Sequence, residues 1–551
     1  MNHTMMDFPL TLPHLLERAR RVFGKIELVS QMPDYSIHRY TYSDFYRRTL
    51  LLAEALQSLG LKKGEPVGTL MWNQHRHLEA YFAIPTAGGV LHTLNLRLHP
   101  QEISYIMDHA GDRFLIVDDI LLPLLEKLET NIPPQRTIVS RWTDAELPPG
   151  CIDFEELVAS ASGRFSYPDI QETDPLGMCY TSGTTGRPKG VVYSHRSQMI
   201  HSLGECLPDT LALSQQDTVL AVVPMFHANA WGLPFSCTMV GCKQVFPGPH
   251  LDPENLLNLF EKEQVTFAAG VPTIWFGILQ LLQDHPGRWK LPAGMRTAVG
   301  GSAVPESVLR AFDLQGIRVL HAWGMTETSP VGTVSFLKSS VESLSEDEQY
   351  QYRARQGIPA PWVEIRADNE DGKVPWDDET MGELLVRGPW VARSYYNSPE
   401  SETCWTDDGW FRTGDVVTIH EEGYIRIVDR SKDLIKSGGE WISSVDLESA
   451  LMDHPAVAEA AVIAVPDPRW QERPLAVIVP AQEATIEVDE LRKHLAKRFS
   501  SWQLPDRFQI VDEIPRTSTG KFKKTALRER FAGGESGGAH DSRRVINPSC
   551  N

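Results

Sequence analysis

Apolar positions along the chain follow two different periods. Leu15, Leu16, Ala19 and Val22 recur with helical spacing inside Leu12 to Phe23 and stop at Gly24; Phe45, Leu52, Leu56 and Leu59 repeat the pattern in a helix that Ser43 caps and Gly60 ends. His75 to Ala87 and Pro100 to His109 continue it, with short apolar runs at Val67 to Met71 and Arg113 to Val117 between them. Strand then helix, repeated, predicts an α/β layer. A second series runs through Val219 to Val223, Val265 to Ala269, Thr297 to Gly300 and Val319 to Ala322, separated by helical segments. Short polar motifs sit where these runs end, and open α/β sheets collect ligands at the carboxyl ends of their strands.

From Gly382 the period changes to two. Glu383 to Arg387, Val416 to Ile419 and Tyr424 to Val428 read as alternating strands, the last two joined by Glu421-Glu422-Gly423 as a hairpin. Beyond Asp429-Arg430-Ser431-Lys432 the pattern restarts as a small α+β unit: a helix after Ser444, strands at Val457 to Val465 and Leu475 to Val479, and a helix from Val488 to Arg498. The expected architecture is α/β: a large N-terminal domain at 1–431 built of α/β layers, with a β-rich subdomain at about 357–431, then a small α+β domain at 432–532. Residues 533–551, with four glycines and few apolar side chains, read as a loose tail. Ser343 to Arg355, polar and acidic, reads as a solvated helix.

Composition narrows the partners. The 551 residues are 42% apolar, enough for a large core, and the net charge of −19 argues against nucleic acid, whose phosphates select basic faces. In so acidic a chain Lys189, Lys436 and Lys521 stand out. Seven scattered cysteines include no Cys-x-x-Cys pair, and the spacing of Cys237 and Cys242 suits no common zinc site; a reducing cytoplasm fits. Met1 to Leu10 has no basic segment followed by an apolar one, and no apolar run reaches the ~18 residues of a membrane span. His77-Leu78-Glu79 matches the opening of a zinc-deaminase motif, but no Pro-Cys-x-x-Cys follows, so a solvated helix face is expected there.

The densest chemistry lies in Tyr180 to His195. Thr181, Ser182, Thr184 and Thr185 alternate with Gly183 and Gly186, so that hydroxyls and backbone amides can converge on an anion, and Lys189 adds a point charge. This suits a polyphosphate. It is not a Walker loop, because Pro188 and Gly190 replace the second glycine and the magnesium-binding hydroxyl, and because the flanks, Leu176 to Tyr180 and Val191 to Tyr193, read as two strands. Other motifs are Gly300-Gly301-Ser302-Ala303 before a helix opened by Pro305, His321-Ala322-Trp323-Gly324-Met325-Thr326-Glu327-Thr328, and Gly414-Asp415, which in isolation is a turn. Two more are Lys436-Ser437-Gly438-Gly439-Glu440-Trp441 and the basic loop Pro515 to Lys524.

The stretch from Tyr180 to His195 closely resembles the phosphate-binding signature of the AMP-forming, adenylate-forming enzymes: acyl-CoA synthetases, luciferases and peptide-synthetase adenylation domains. The resemblance runs from about residue 12 to about residue 530 and is nearest to bacterial medium- and long-chain fatty-acyl-CoA synthetases. It implies ATP and CoA as co-substrates with Mg²⁺. Ala322 and Trp323 would then border the adenine with His321 also among the ATP- and AMP-binding residues, Thr326 would bind the α-phosphate, and Glu327 with Thr181 would hold Mg²⁺. Asp415 would accept the ribose hydroxyls, Arg430 would reach ribose and phosphate, and Gly301 would line the adenylate and acyl pocket. Lys432 is implied both among the ATP- and AMP-binding residues and as the hinge about which a mobile C-terminal domain rotates. That rotation would exchange Lys521, the adenylation lysine, for a second catalytic lysine, Lys436, and for Gly438, Gly439 and Trp441, which line the CoA tunnel.

Pro224 to Pro234 is apolar apart from His227 and Asn229, and Trp231 matches the position that gates the fatty-acid tunnel in a thermophile long-chain enzyme of the family; His227 lies one turn before it if the segment is helical. Each buried CH₂ contributes about 0.8 kcal/mol, so such a wall suits an alkyl tail. Medium- to long-chain fatty acids are therefore expected, with short or sulfur-containing acids the runner-up. The rivals are an enzyme that loads a carrier protein and a non-catalytic nucleotide sensor, and retention of Lys521 disfavours the sensor. Relatives are often homodimers, and a lipid substrate would allow peripheral membrane contact.

Overall fold

The computed structural model describes residues 3–181, 187–301, 303–437, 440–481, 484, 486–517 and 521–531. Ser182, Gly183, Thr184, Thr185, Gly186, Gly438, Gly439 and the tail at 533–551 lie outside the described residues.

Two large sheets carry the α/β layers. In the first, Pro66–Leu70, Val90–Thr93, Phe114–Asp118, Arg136–Ser140 and Pro175–Tyr180 run parallel, and Gly190–Ser194 returns antiparallel to Pro175–Tyr180. In the second, Thr218–Ala221, Lys243–Phe246, Phe267–Gly270, Met295–Gly300 and Ile317–Gly324 are parallel neighbours. These strands are almost continuously apolar and buried, as parallel strands covered on both faces by helices must be. Glu27–Gln31 joins the second sheet beside Lys243–Phe246.

The first helices form as their spacing predicts, with two local differences. The helix Tyr42–Ser58 is capped by Thr41, not Ser43: the Thr41 hydroxyl accepts from Asp44 N at 3.3 Å and the Asp44 carboxylate accepts from Thr41 N at 3.2 Å, a reciprocal capping box. In Leu12–Phe23, Val22 is 60% exposed, because the last turn sets the Phe23 ring against Gly241, whose missing Cβ leaves room for it.

The helix His75–Thr86 is not solvated. It is buried along nearly its whole length against the helix Tyr42–Ser58 and the strands Pro66–Leu70 and Val90–Thr93. The His77 ring nitrogens meet the Trp72 carbonyl at 3.1 Å and the Thr69 hydroxyl at 3.0 Å. Glu79 pairs with Arg48 at 2.7 Å, and Arg48 also holds Glu155 at 2.9 Å. A buried carboxylate is tolerable because the guanidinium fork satisfies it. The acidic helix Glu346–Ala354 also departs from a wholly solvated reading: Tyr350 is buried, and its hydroxyl bonds Asp313 at 2.6 Å on the helix Glu306–Leu314.

The five-stranded antiparallel sheet orders as Gly372–Lys373, Glu364–Asn369, Gly382–Arg387, Phe411–Ile419 and Ile425–Arg430. Its last two strands form the expected hairpin. The C-terminal unit builds on Val457–Asp467 paired with Gln471–Pro480, flanked by the helices Ser444–Met452, Val488–Leu495 and Lys524–Phe531. Among the described residues, no helix is long and apolar enough to cross a membrane.

Candidate functional site

The carboxyl ends of both parallel sheets open into one cavity of about 480 Å³. Thr181 reaches it just past Pro175–Tyr180, Val271 past Phe267–Gly270, Gly301 past Met295–Gly300, and Thr326 and Glu327 past Ile317–Gly324. Lys521 enters from the C-terminal unit. One crevice therefore collects residues separated by hundreds of positions, at the place where parallel sheets leave backbone free to bind.

The hairpin around the glycine-rich stretch closes as a strand pair: Thr181 N donates to the Lys189 carbonyl at 2.9 Å, and Lys189 N donates to the Thr181 hydroxyl at 3.1 Å. This excludes a Walker strand-to-helix turn. Facing it, Glu327 is buried, and burial raises its carboxyl above the ordinary range; the Tyr395 hydroxyl donates to its Oε1 at 2.5 Å. The Thr326 carbonyl accepts from the Tyr193 hydroxyl at 2.8 Å.

Asp415 is not in a turn. Its neighbour Gly414 has φ +71, but both lie within the strand Phe411–Ile419, with Asp415 opposite Arg430. Trp323 Nε1 donates to Asp415 Oδ2 at 2.8 Å, and Arg430 Nε meets Oδ1 at 3.1 Å. Three residues expected near the nucleotide thus touch one another. Ala322, Trp323, Arg430 and Lys432 line the cavity, whereas His321 does not: its ring nitrogen lies 3.0 Å from the Ala354 carbonyl. Strand alternation separates neighbouring side chains, and the motif alone does not say which faces the crevice. Lys432, which has no evident ligand from its sequence surroundings, lines the cavity, and burial lowers its ammonium.

The apolar wall differs most from expectation. Ala228, Asn229, Ala230 and Trp231 have φ of 37°, 42°, 58° and 55°, so the segment after His227 is a left-handed turn and not an α-helix. Consecutive L-residues there are strained and persist only under tertiary restraint. The restraint is visible: Asn229 N donates to Cys179 Sγ at 3.2 Å, the thiol lies 3.0 Å from Asn229 Oδ1, and a Cβ on Gly232 would fall 2.7 Å from the His201 ring and 2.8 Å from the Glu205 carboxylate. The turn carries Trp231 across the crevice, its ring edge 3.4 Å from where a Gly300 Cβ would stand.

Gly301, with φ +95, has Lys521 Cε 3.2 Å from its missing Cβ, so glycine admits the lysine. Burial, then the Arg430 charge, pushes the Lys521 ammonium down to about 8, and burial with the Lys521 charge pushes the His227 imidazole down to about 4. Lys436 and Trp441 are elsewhere: they face each other on the strand pair Ile435–Ser437 and Glu440–Ile442, with Nζ 5.2 Å from the ring centroid, and neither lines the cavity. Tyr395 was not singled out in the sequence, where only an unremarkable Tyr-Tyr pair marks it. Among the described residues, no cluster of three or more His, Cys, Asp or Glu could hold a metal.

A cavity lined by Thr181, Glu327, the Trp323 and Arg430 side chains that hold Asp415 behind them, and a lysine from a small C-terminal unit defines a nucleotide-binding class, and the chain belongs to the AMP-binding enzyme family, whose family model matches residues 15–396 while the AMP-binding enzyme C-terminal domain matches residues 446–521. It is 50% identical, over 96% of this chain and 97% of the other, to a long-chain-fatty-acid–CoA ligase of Thermus thermophilus. It is 42% identical, over 96% and 98%, to a 3-methylmercaptopropionyl-CoA ligase of Ruegeria lacuscaerulensis. Its fold matches the anthranilate CoA ligase AuaEII in complex with anthranoyl-AMP with a TM-score of 0.84 and 25% identity, over 95% of this chain and 98% of that one.

Proposed function

We propose that this protein is an ATP-dependent fatty acid–CoA ligase of the AMP-forming type. The observation that carries the reading is Lys521 beside Gly301, where the phosphate-binding hairpin meets an apolar wall in one cavity, together with 50% identity to a long-chain ligase over nearly the whole chain. A carboxylate cannot be attacked directly by a thiol, since oxide would have to leave. In the first step a carboxylate oxygen attacks the α-phosphorus, the bond to the bridging oxygen breaks, and pyrophosphate departs with that electron pair. In the second, the CoA thiol gives up its proton, its sulfur attacks the acyl carbon, the bond from that carbon to the phosphate oxygen breaks, and AMP departs with that electron pair.

Bringing two anions together needs positive charge at the reacting atoms, which Lys521 supplies. Thr326 would bind the α-phosphate. Thr181 and Lys189, with Ser182, Gly183, Thr184, Thr185 and Gly186, would hold the remaining phosphates. Ala322 and Trp323 would flank the base, and Asp415 and Arg430 the ribose. A single buried carboxylate, Glu327, with the Thr181 hydroxyl nearby fits Mg²⁺, which takes few protein ligands when phosphate oxygens complete its shell. Bound there, the ion would offset phosphate charge.

The second step needs different neighbours. We place the division between domains at 431/432 with Lys432 as pivot, so that rotation withdraws Lys521 and presents Lys436, Gly438, Gly439 and Trp441. The exposed ring of Trp441, with Lys436 Nζ 5.2 Å from its centroid, leaves an aromatic face and a cation free for CoA and supports this reading. Cytoplasmic location, peripheral membrane contact and a homodimer complete the proposal.

The test is turnover with ATP, Mg²⁺ and CoA across butyrate, decanoate, palmitate, methylthiopropionate and benzoate, following AMP and thioester. Decanoate and palmitate are expected to lead. Preference for benzoate or methylthiopropionate would overturn the substrate class, and pyrophosphate release that ignores CoA would favour carrier loading.

Trp231→Ala opens the wall at the ring that packs beside Gly300. It is expected to shift the chain-length profile and the fatty-acid KM at least about fivefold, the scale of one or two buried methylenes, with the ATP KM within twofold. An unchanged profile would remove Trp231 from the acyl pocket.

A further inference from the structure

Tyr395 has no part in the reading above, and the inference drawn for it rests on that reading. The segment from Pro389 to Tyr396 straps two halves of the nucleotide side together. Ala392 N donates to the Glu327 carbonyl at 2.8 Å, and Tyr396 N donates to the Gly190 carbonyl at 2.8 Å. One strap therefore holds both the turn that bears Glu327 and the strand that follows Lys189. Within it, only Tyr395 lines the cavity.

Two contacts define what this side chain does. Its hydroxyl donates to Glu327 Oε1 at 2.5 Å, and its ring lies under Lys189 Nζ, 4.8 Å from the centroid. The ring is itself backed: Trp405 stands edge-on at 5.2 Å and anchors to the strap through Nε1 to the Ala392 carbonyl at 2.8 Å. A hydrogen bond to one oxygen of a carboxylate fixes the plane in which the other is offered, and partners of this kind orient a metal ligand. A ring face beneath an ammonium seats it without neutralising it, so the charge stays available to a phosphate.

We propose that Tyr395 is a positioning residue that aligns Glu327 and Lys189 together on the ATP–Mg²⁺ pair, acting on the nucleotide and not on the acid or the thiol. Its two contacts separate by substitution. Tyr395→Phe removes the hydroxyl and keeps the ring; Tyr395→Leu removes both.

The experiment combines calorimetric binding of ATP, with and without Mg²⁺, and both half-reactions on the full chain. In Tyr395→Phe the Mg²⁺ concentration for half-maximal adenylation is expected to rise about tenfold, the loss typical when an orienting partner of a metal ligand is removed. Its metal-free ATP affinity and fatty-acid KM should stay within twofold. Tyr395→Leu should in addition weaken metal-free ATP binding about threefold or more, the scale of one exposed cation–π contact. Thioester formation from supplied acyl-AMP should be unaffected in both. Unchanged Mg²⁺ dependence in Tyr395→Phe overturns the proposal, as does an equal fall of both half-reactions with a lowered Tm. A wild type that makes no acyl-AMP would instead overturn the ligase reading itself, while metal-free ATP binding by Tyr395→Leu still reports on the Lys189 contact.

Discussion

Lys521→Ala is expected to slow acyl-AMP formation by at least about a hundredfold, the size of losing one preorganised charge donor, while thioester formation from supplied acyl-AMP survives. The expectation follows from placement: Lys521 lies beside Gly301 in a cavity it shares with Thr326 and Glu327, whereas Lys436 and Trp441 lie outside it. The same residue sets a pH dependence. A lysine ordinarily titrates at 10.5, and burial brings this one down to about 8, so its charge is present below that pH and lost as pH rises through it. In the free enzyme, kcat/KM for adenylation should therefore decline above pH about 8. The limb for kcat should lie at higher pH, because bound phosphate favours the charged form. Lys521→Arg, which stays charged, should flatten the alkaline limb at a lower rate. Equal loss of both half-reactions in Lys521→Ala, or no alkaline limb in the wild type, would contradict the assignment.

The second large effect is expected at Lys432. Proline fixes φ near −65°, so Lys432→Pro should hinder rotation and lower CoA transfer by about tenfold or more, with adenylation retained relative to a Lys432→Ala control. The control is required because the side chain lines the cavity, so that its loss alone is expected to weaken nucleotide binding. Contacts across this position mark what rotation would break: Ser444 N donates to Asp429 Oδ2 at 2.7 Å, and the Ser307 hydroxyl donates to Asp453 Oδ1 at 2.9 Å. Rates of CoA transfer that match between the Pro and Ala variants would move the pivot elsewhere.

Much of the fold was legible from spacing alone. Helical recurrence placed Leu12–Phe23 and Pro100–Ala110, and the apolar runs placed the parallel strands, because a parallel strand buried on both faces has no choice but to be apolar. The strand flanks of the glycine-rich stretch were readable for the same reason, and with them the exclusion of a Walker loop. Local pattern failed where the deciding partner is distant in sequence. Glu79 looks solvated until Arg48 and Glu155 are placed against it, and Asp415 looks like a turn until Trp323 and Arg430 converge on its two oxygens. His321 and Trp323 belong to one motif, yet only Trp323 reaches the cavity. The left-handed turn of Ala228 to Gly232 was beyond local reading altogether, since nothing in Ala-Asn-Ala-Trp prefers positive φ; Cys179 beneath Asn229, and His201 and Glu205 against Gly232, impose it. Periodicity and turn chemistry act between near neighbours and so determine elements. Which side chains share a crevice is decided by packing across hundreds of residues, and only the tertiary structure set Tyr395 between Glu327 and Lys189.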